Sequence, residues 1–136
     1  MGIFAGTRPS NLGARYGKLR PPPKTPNGVS SQADPVHDLA HFVAPLPWVG
    51  DPAKAWARLL GQVRALPGAT IVTEGGGYLH AECASRLLGF VDDLECLLDR
   101  SARVIHVRSG ARLGRRDFGV NRARIEMLRG RLAEPA

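Results

Sequence analysis

Two neighbouring runs, Phe90 to Leu98 and Val104 to Leu113, constrain this chain more than any other feature, because each mixes apolar and charged residues at strand-like spacing. The few residues between them leave room for only a short turn, so the runs are expected to pair antiparallel. Centring that turn on Arg100 and Ser101 sets Cys96 opposite Ile105, Leu94 opposite Val107 and Asp92 opposite Ser109 on one side of the sheet. The other side then carries Asp93 opposite Arg108 and Glu95 opposite His106. This register turns apolar residues toward a core and brings opposite charges together on the far, exposed face, whereas sliding by one residue would bury the charges.

Around this pair the remaining elements fall into place. His41 to Leu46 reads as a short first strand bounded by Pro45 and Pro47. Asp51 offers a capping acceptor, Pro52 suits a first helical position, and Trp56, Leu59, Leu60 and Val63 form one apolar stripe that Pro67 and Gly68 end. Thr70 to Glu74 and Tyr78 to Ser85 flank Gly75, Gly76 and Gly77, which permit the positive φ of a hairpin turn. A last helix is expected from about Gly119 to Leu132, with Asn121, Ile125, Leu128 and Leu132 as its stripe, Asp117 near its start and Gly130 weakening its end. The order β-α-β-β-β-β-α predicts an α+β fold, an antiparallel sheet of about five strands with two helices packed on one face. With 136 residues the chain supports one core, so residues 40–133 are read as a single domain. Residues 1–39 show no period and carry Pro9, Pro21 to Pro23, Pro26 and Pro35, the pattern of an extended Pro/Gly-rich arm belonging to the same unit.

Composition narrows the function classes. No stretch approaches the roughly 18 consecutive apolar residues of a membrane span, and no export signal opens the chain, so a cytoplasmic setting is expected. Cys83 and Cys96 lie in apolar runs and are expected as buried free thiols. The net charge of +7 is loaded at the ends: residues 1–24 hold five basic groups and no acid, and residues 108–136 hold eight arginines against three acids. Such termini attract polyanions, which keeps nucleic-acid binding among the candidates. No recognition motif accompanies the charge, so it ranks behind a small molecule or a protein as partner.

Several segments carry a resemblance: "RPSNLG" from Arg8, "TPNGVSSQA" from Thr25, "APLPWVGDPAKAW" from Ala44, "GFVDDLE" from Gly89 and "IHVRSGARLGRRDFGVNRARIEMLR" from Ile105. Together they resemble the family called domain of unknown function 1499, over about Arg8 to Leu132, and the resemblance brings no activity, substrate or cofactor. Members typically carry one cysteine just ahead of the segment matched by "TPN" and another directly after it. This chain has Pro22 and Gly28 there, which fits a reducing compartment or another way of holding the arm. Members often also carry a membrane anchor or export signal ahead of the domain; neither is expected here, which weakens any localisation taken from them.

The polar residues of the matching segments form the candidate site: Asp92, Asp93 and Glu95 facing Arg108, Arg112 and Arg124, with Ser109, Asp117 and Asn121 nearby. Clustered carboxylates can hold a metal or work as acid and base, and arginine forks can grip a carboxylate or phosphate. The plainer account is a set of cross-strand and helix-to-sheet ion pairs. Asp92 stands out, because its parity points it to the core, where it needs a partner such as Ser109 or an arginine of the last helix, unless it precedes the start of the strand. No metal or cofactor motif is present. His37 and His41 have helical i, i+4 spacing but no third ligand, His80 reads as a half-buried or solvent-facing strand residue, and Asn27, Ser30 and Ser31 suit turns. These residues predict a non-catalytic domain that binds a small ligand or protein partner on the exposed sheet face. The alternative is an enzyme of unknown reaction using the Asp92, Asp93, Glu95, Arg108 and Arg112 cluster, which requires a concave pocket around them.

Overall fold

A computed structural model describes residues 5–85 and 89–135; the first four residues of the expected arm lie outside the described residues. In chain order the elements are β1 (Ala14–Arg15), β2 (Lys18–Leu19), β3 (Gly28–Ser30), β4 (Leu46–Pro47) and α1 (Pro52–Arg64). They continue as β5 (Ala69–Gly75), β6 (Tyr78–Ala84), β7 (Val91–Asp99), β8 (Val104–Ala111) and α2 (Val120–Ala133). A six-stranded sheet runs β3-β8-β7-β6-β5, with β4 pairing β8 beyond the end of β3, and both helices pack on one face of it. The fold is the α+β arrangement the element order predicts.

The central pair is antiparallel, but its register is two residues away from the expected one. Cys96 faces Val107, Leu94 faces Ser109, Asp92 faces Ala111, Asp93 faces Gly110 and Glu95 faces Arg108. The reason lies in the turn, which takes four residues between Asp99 and Val104 rather than two. Asp99 accepts a hydrogen bond from the Ala102 N–H at 2.9 Å, and Arg103 adopts a left-handed φ of 55° while its guanidinium covers the Trp48 ring at 4.7 Å. A shift of two keeps every side chain on its own side of the sheet, so the face assignment survives while each cross-strand partner changes.

The first strand differs too. Of the run from His41, only Leu46 and Pro47 pair with β8, while Phe42 makes an isolated bridge to Ser30. The carbonyls of Phe42, Ala44 and Pro45 accept hydrogen bonds from Arg122 and Arg129 of α2, so this backbone is satisfied by the helix instead of by a ladder. The sheet edge left open on β8 is taken by β3, from the segment expected to be an arm without strands. A Cβ at Gly28 would stand 2.8 Å from the Pro23 ring and 3.3 Å from the Gly110 Cα, so the arm packs against β8 here with no room for a side chain.

Both helices follow their sequence signals. Asp51 caps α1 by accepting from the Lys54 N–H at 3.1 Å, and Trp56, Leu59 and Val63 are buried. In α2, Asn121, Ile125 and Leu128 are buried, and Asp117 bonds the Gly119 and Asn121 N–H groups of its first turn. Between helices and sheet lie Leu46, Leu59, Val63, Leu79, Leu94, Ile105, Val107, Ile125 and Leu128, each contributing about 1.5–3 kcal/mol of burial.

Cys83 and Cys96 belong to the same core, are unpaired, and have their thiol pKa values pushed up by burial. A thiol reagent at pH 8 is therefore expected to label the native protein at least about a hundred-fold more slowly than the urea-unfolded chain. Equal rates in the two states would place these cysteines outside the core.

Candidate functional site

The nine candidate residues are divided between the two faces of the sheet. Asp93, Glu95, Arg108 and Arg112 share the far face with His80 and Glu82 of β6. This face is not exposed, as expected from the sequence, but covered by the arm, and Glu95 has no solvent-accessible surface at all. Arg112 grips Asp93 through two hydrogen bonds of 2.8 Å each and also bonds Glu82. Arg8 of the arm reaches the same Glu82 at 2.8 Å, and His80 bonds Asp93 at 2.7 Å. Glu95 accepts from Arg108 at 2.8 Å, from the Tyr78 hydroxyl, and from the Gly13 N–H of the arm at 2.7 Å. Arg108 in turn donates to the Pro21 carbonyl at 3.2 Å.

Three carboxylates thus meet three arginines in a layer roofed by backbone, and among the described residues no buried side-chain polar atom lacks a partner. The hydrogen bond from Arg8, reinforced by Arg112, holds Glu82 below its usual pKa despite burial. Burial by itself would raise Asp93, but Arg112 and His80 outweigh it and hold that carboxyl low as well. Donor atoms of His80, Glu82 and Asp93 lie within 4.8 Å of one another, close enough for a shared cation. The Arg112 guanidinium already supplies that positive charge to both carboxylates, and an ion would have to displace it. The cavities lined by Trp48 and Arg58, by Asp92 and Arg124, and by Trp56 and Glu74 are formed by other residues than these.

The other five candidates lie on the helix face. Asp92 finds its partner in Arg124 at 3.0 Å, one of the two kinds its parity predicts. Arg124 also donates to Ser109 at 3.0 Å and Asn121 at 2.8 Å, Ser109 donates to Asn121 at 2.7 Å, and Asn121 donates to Asp117 at 2.9 Å. This chain of bonds docks the first two turns of α2 onto β7 and β8. Burial leaves the Asp92 carboxyl above its usual pKa, with Arg124 opposing the shift, whereas the Asn121 bonds hold Asp117 low against its own burial.

Next to this cluster the fold opens into a cleft of about 480 Å³. Its walls are the end of β6 (Cys83, Ala84), Phe90 with the start of β7 (Val91, Asp92), the end of β8 (Ala111) and the first turns of α2 (Val120, Arg124), and the β8–α2 loop forms its rim. Of the ten large hydrophobic residues exposed among the described residues, four line this one cleft: Phe90, Leu113, Phe118 and Val120. Phe118 is 94% exposed and holds a left-handed φ of 54°, a conformation costing roughly 1–3 kcal/mol that a bulky residue seldom keeps without a reason. Sequence reasoning missed Phe118 because no period marks a loop, and it read Phe90 and Leu113 as strand ends, whereas the strands begin at Val91 and stop at Ala111. It missed His80 and Glu82 as members of the far-face cluster because alternation alone does not say which strand neighbours which.

The basic C-terminal segment is mostly committed inside the fold. Arg108, Arg112 and Arg124 form the ion pairs above, and Arg122, Arg129 and Arg131 donate to main-chain carbonyls. Arg115 and Arg116 have neither kind of partner among the described residues. His37 and His41 bond Asp34 and Asp38 respectively and do not converge. Ser30 accepts from the Gln32 N–H, the local role expected of it, whereas Ser31 accepts from the Val107 N–H and ties the arm to β8 instead of forming a turn.

Among the described residues no helix is long and apolar enough to cross a membrane. A family profile described as "Protein of unknown function (DUF1499)" matches residues 18–132. No curated protein and no solved structure matches the chain.

Proposed function

This chain belongs to the domain of unknown function 1499 family, and we propose that it acts as a non-catalytic binding domain whose small ligand sits in the cleft between β6, β7, β8 and the start of α2. The observation that carries this reading is the concentration of exposed apolar side chains around one cavity. Its volume falls within the roughly 300–1,000 Å³ of small-molecule sites, and it has an apolar body with a few polar groups at one wall. Two of the three exposed aromatic side chains among the described residues border it, and clustered exposed apolar residues commonly mark a binding site. The non-catalytic part rests on the far-face carboxylates, each engaged by an arginine and shielded by the arm, which leaves no free general base there. The free buried thiols are in keeping with a reducing setting such as the cytoplasm.

The test uses a neutral apolar fluorophore, N-phenylnaphthylamine, together with native mass spectrometry of the purified protein. One probe per chain is expected to bind, with Ala111→Phe filling the cleft and weakening binding at least about ten-fold. Phe118→Gly is expected to weaken binding while leaving stability within about 1 kcal/mol, because glycine accepts the left-handed φ. Undiminished binding in both variants would exclude the cleft as the site.

A further inference from the structure

We propose that the ligand of this cleft is an amphiphilic anion, a hydrocarbon body carrying one carboxylate, and that Arg116 at the rim, with Arg115 next to it in sequence, selects its head group. This rests on the cleft being the binding site, and adds to it the chemical class of the ligand.

The inference comes from following each charge around the cleft to its partner. Asp92 is paired with Arg124, and Arg124 is further occupied by Ser109 and Asn121. Asp117 is spent on the N–H groups of Gly119 and Asn121 and on the Asn121 amide, which also answers the positive end of α2. Among the charged residues lining the cavity, that leaves Arg116 without a partner among the described residues, and Arg115 beside it is equally unpaired. Six of the eight arginines between residues 108 and 136 have structural work inside the fold; the two that do not are adjacent in sequence, and one of them, Arg116, lines the cleft. A cationic ligand would meet uncompensated positive charge there. A neutral one would gain the apolar contacts alone. An anion gains both the contacts and a charge-assisted hydrogen bond to a guanidinium fork.

Competition against N-phenylnaphthylamine separates these classes, using decanoate, decanol and decylamine as head-group variants of one chain. Decanoate is expected to displace the probe at about ten-fold lower concentration than decanol, with decylamine weakest, and the advantage should shrink in high salt. Arg115→Glu combined with Arg116→Glu should leave the fold intact, since neither side chain is bonded within it, and should reverse the order of decanoate and decylamine. Equal displacement by decanoate and decanol would overturn the head-group assignment while the cleft reading stands. A probe that binds but is displaced by none of the three would overturn the amphiphile class. A probe that does not bind at all would remove both.

Discussion

Replacing Arg112 with alanine is expected to lower the stability of the domain by about 3–5 kcal/mol, seen as a lower urea midpoint with cooperativity retained. The Arg112 side chain is 2% exposed, and its removal leaves Glu82 and Asp93 buried with their shared counter-charge gone. Arg112→Lys should recover part of the loss, since a lysine restores charge but not the two-pronged contact with Asp93. The pH dependence is specific. Both carboxyls titrate below their ordinary values of 4.5 for Glu82 and 3.8 for Asp93. Their stabilisation of the wild type is therefore complete above those values and is lost as the pH falls through the depressed folded-state values. In the alanine variant Asp93 keeps only His80 and Glu82 keeps only Arg8 against burial, so part of that depression is lost and the gap between the two proteins should narrow from about pH 5 to about pH 3. A gap constant over that range would mean that Arg112 contributes packing rather than charge.

Gly68→Ala is expected to cost about 3 kcal/mol, a large effect for one methyl group. Gly68 holds a left-handed φ of 70°, and a Cβ there would overlap the Ala84 carbonyl oxygen and approach the Ala84 carbon to 3.1 Å. The backbone has no room to yield, because Ala84 donates to the Gly68 carbonyl at 3.0 Å and Ala69 is already in register with Cys83. Gly50→Ala serves as the reference, since Gly50 has a similar φ of 79° with nothing within 4 Å of the added carbon. It should lose only the conformational preference, about 1 kcal/mol. Equal losses at the two positions would show that the close approach of β5 and β6 is unimportant. As Ala84 also lines the cleft, Gly68→Ala should weaken probe binding as well, which Gly50→Ala should not.

Much of the fold was legible in the residues. Asp51 and Pro52 start a helix, the Trp56, Leu59 and Val63 stripe is buried, and Gly76 and Gly77 turn β5 into β6 with φ values of 61° and 78°. The partner of Asp92 was legible as a class, because a carboxylate on the core side of a strand needs one. The candidate site was less so. Its nine residues lie near one another in sequence or across one hairpin, yet parity sends Asp93 and Glu95 to one face and Asp92 to the other, and only the second group touches the cleft. The register of the central pair depended on how a four-residue turn closes, which involves Arg103 stacking on Trp48 from elsewhere in the chain.

By itself, the sequence determined the elements whose signals are local: strand alternation with period two, helix stripes with period 3.6, caps, and glycines at positive φ. Tertiary structure alone decided what covers each face of the sheet. The arm is held to the charged face by the Gly13 N–H and the Pro21 carbonyl as well as by Arg8. Such backbone groups occur in nearly every residue, so they leave no mark in the sequence, and the contacts span more than seventy positions. The cleft arises likewise, from three strand ends and a helix start that share no sequence pattern and become neighbours only once the sheet has formed.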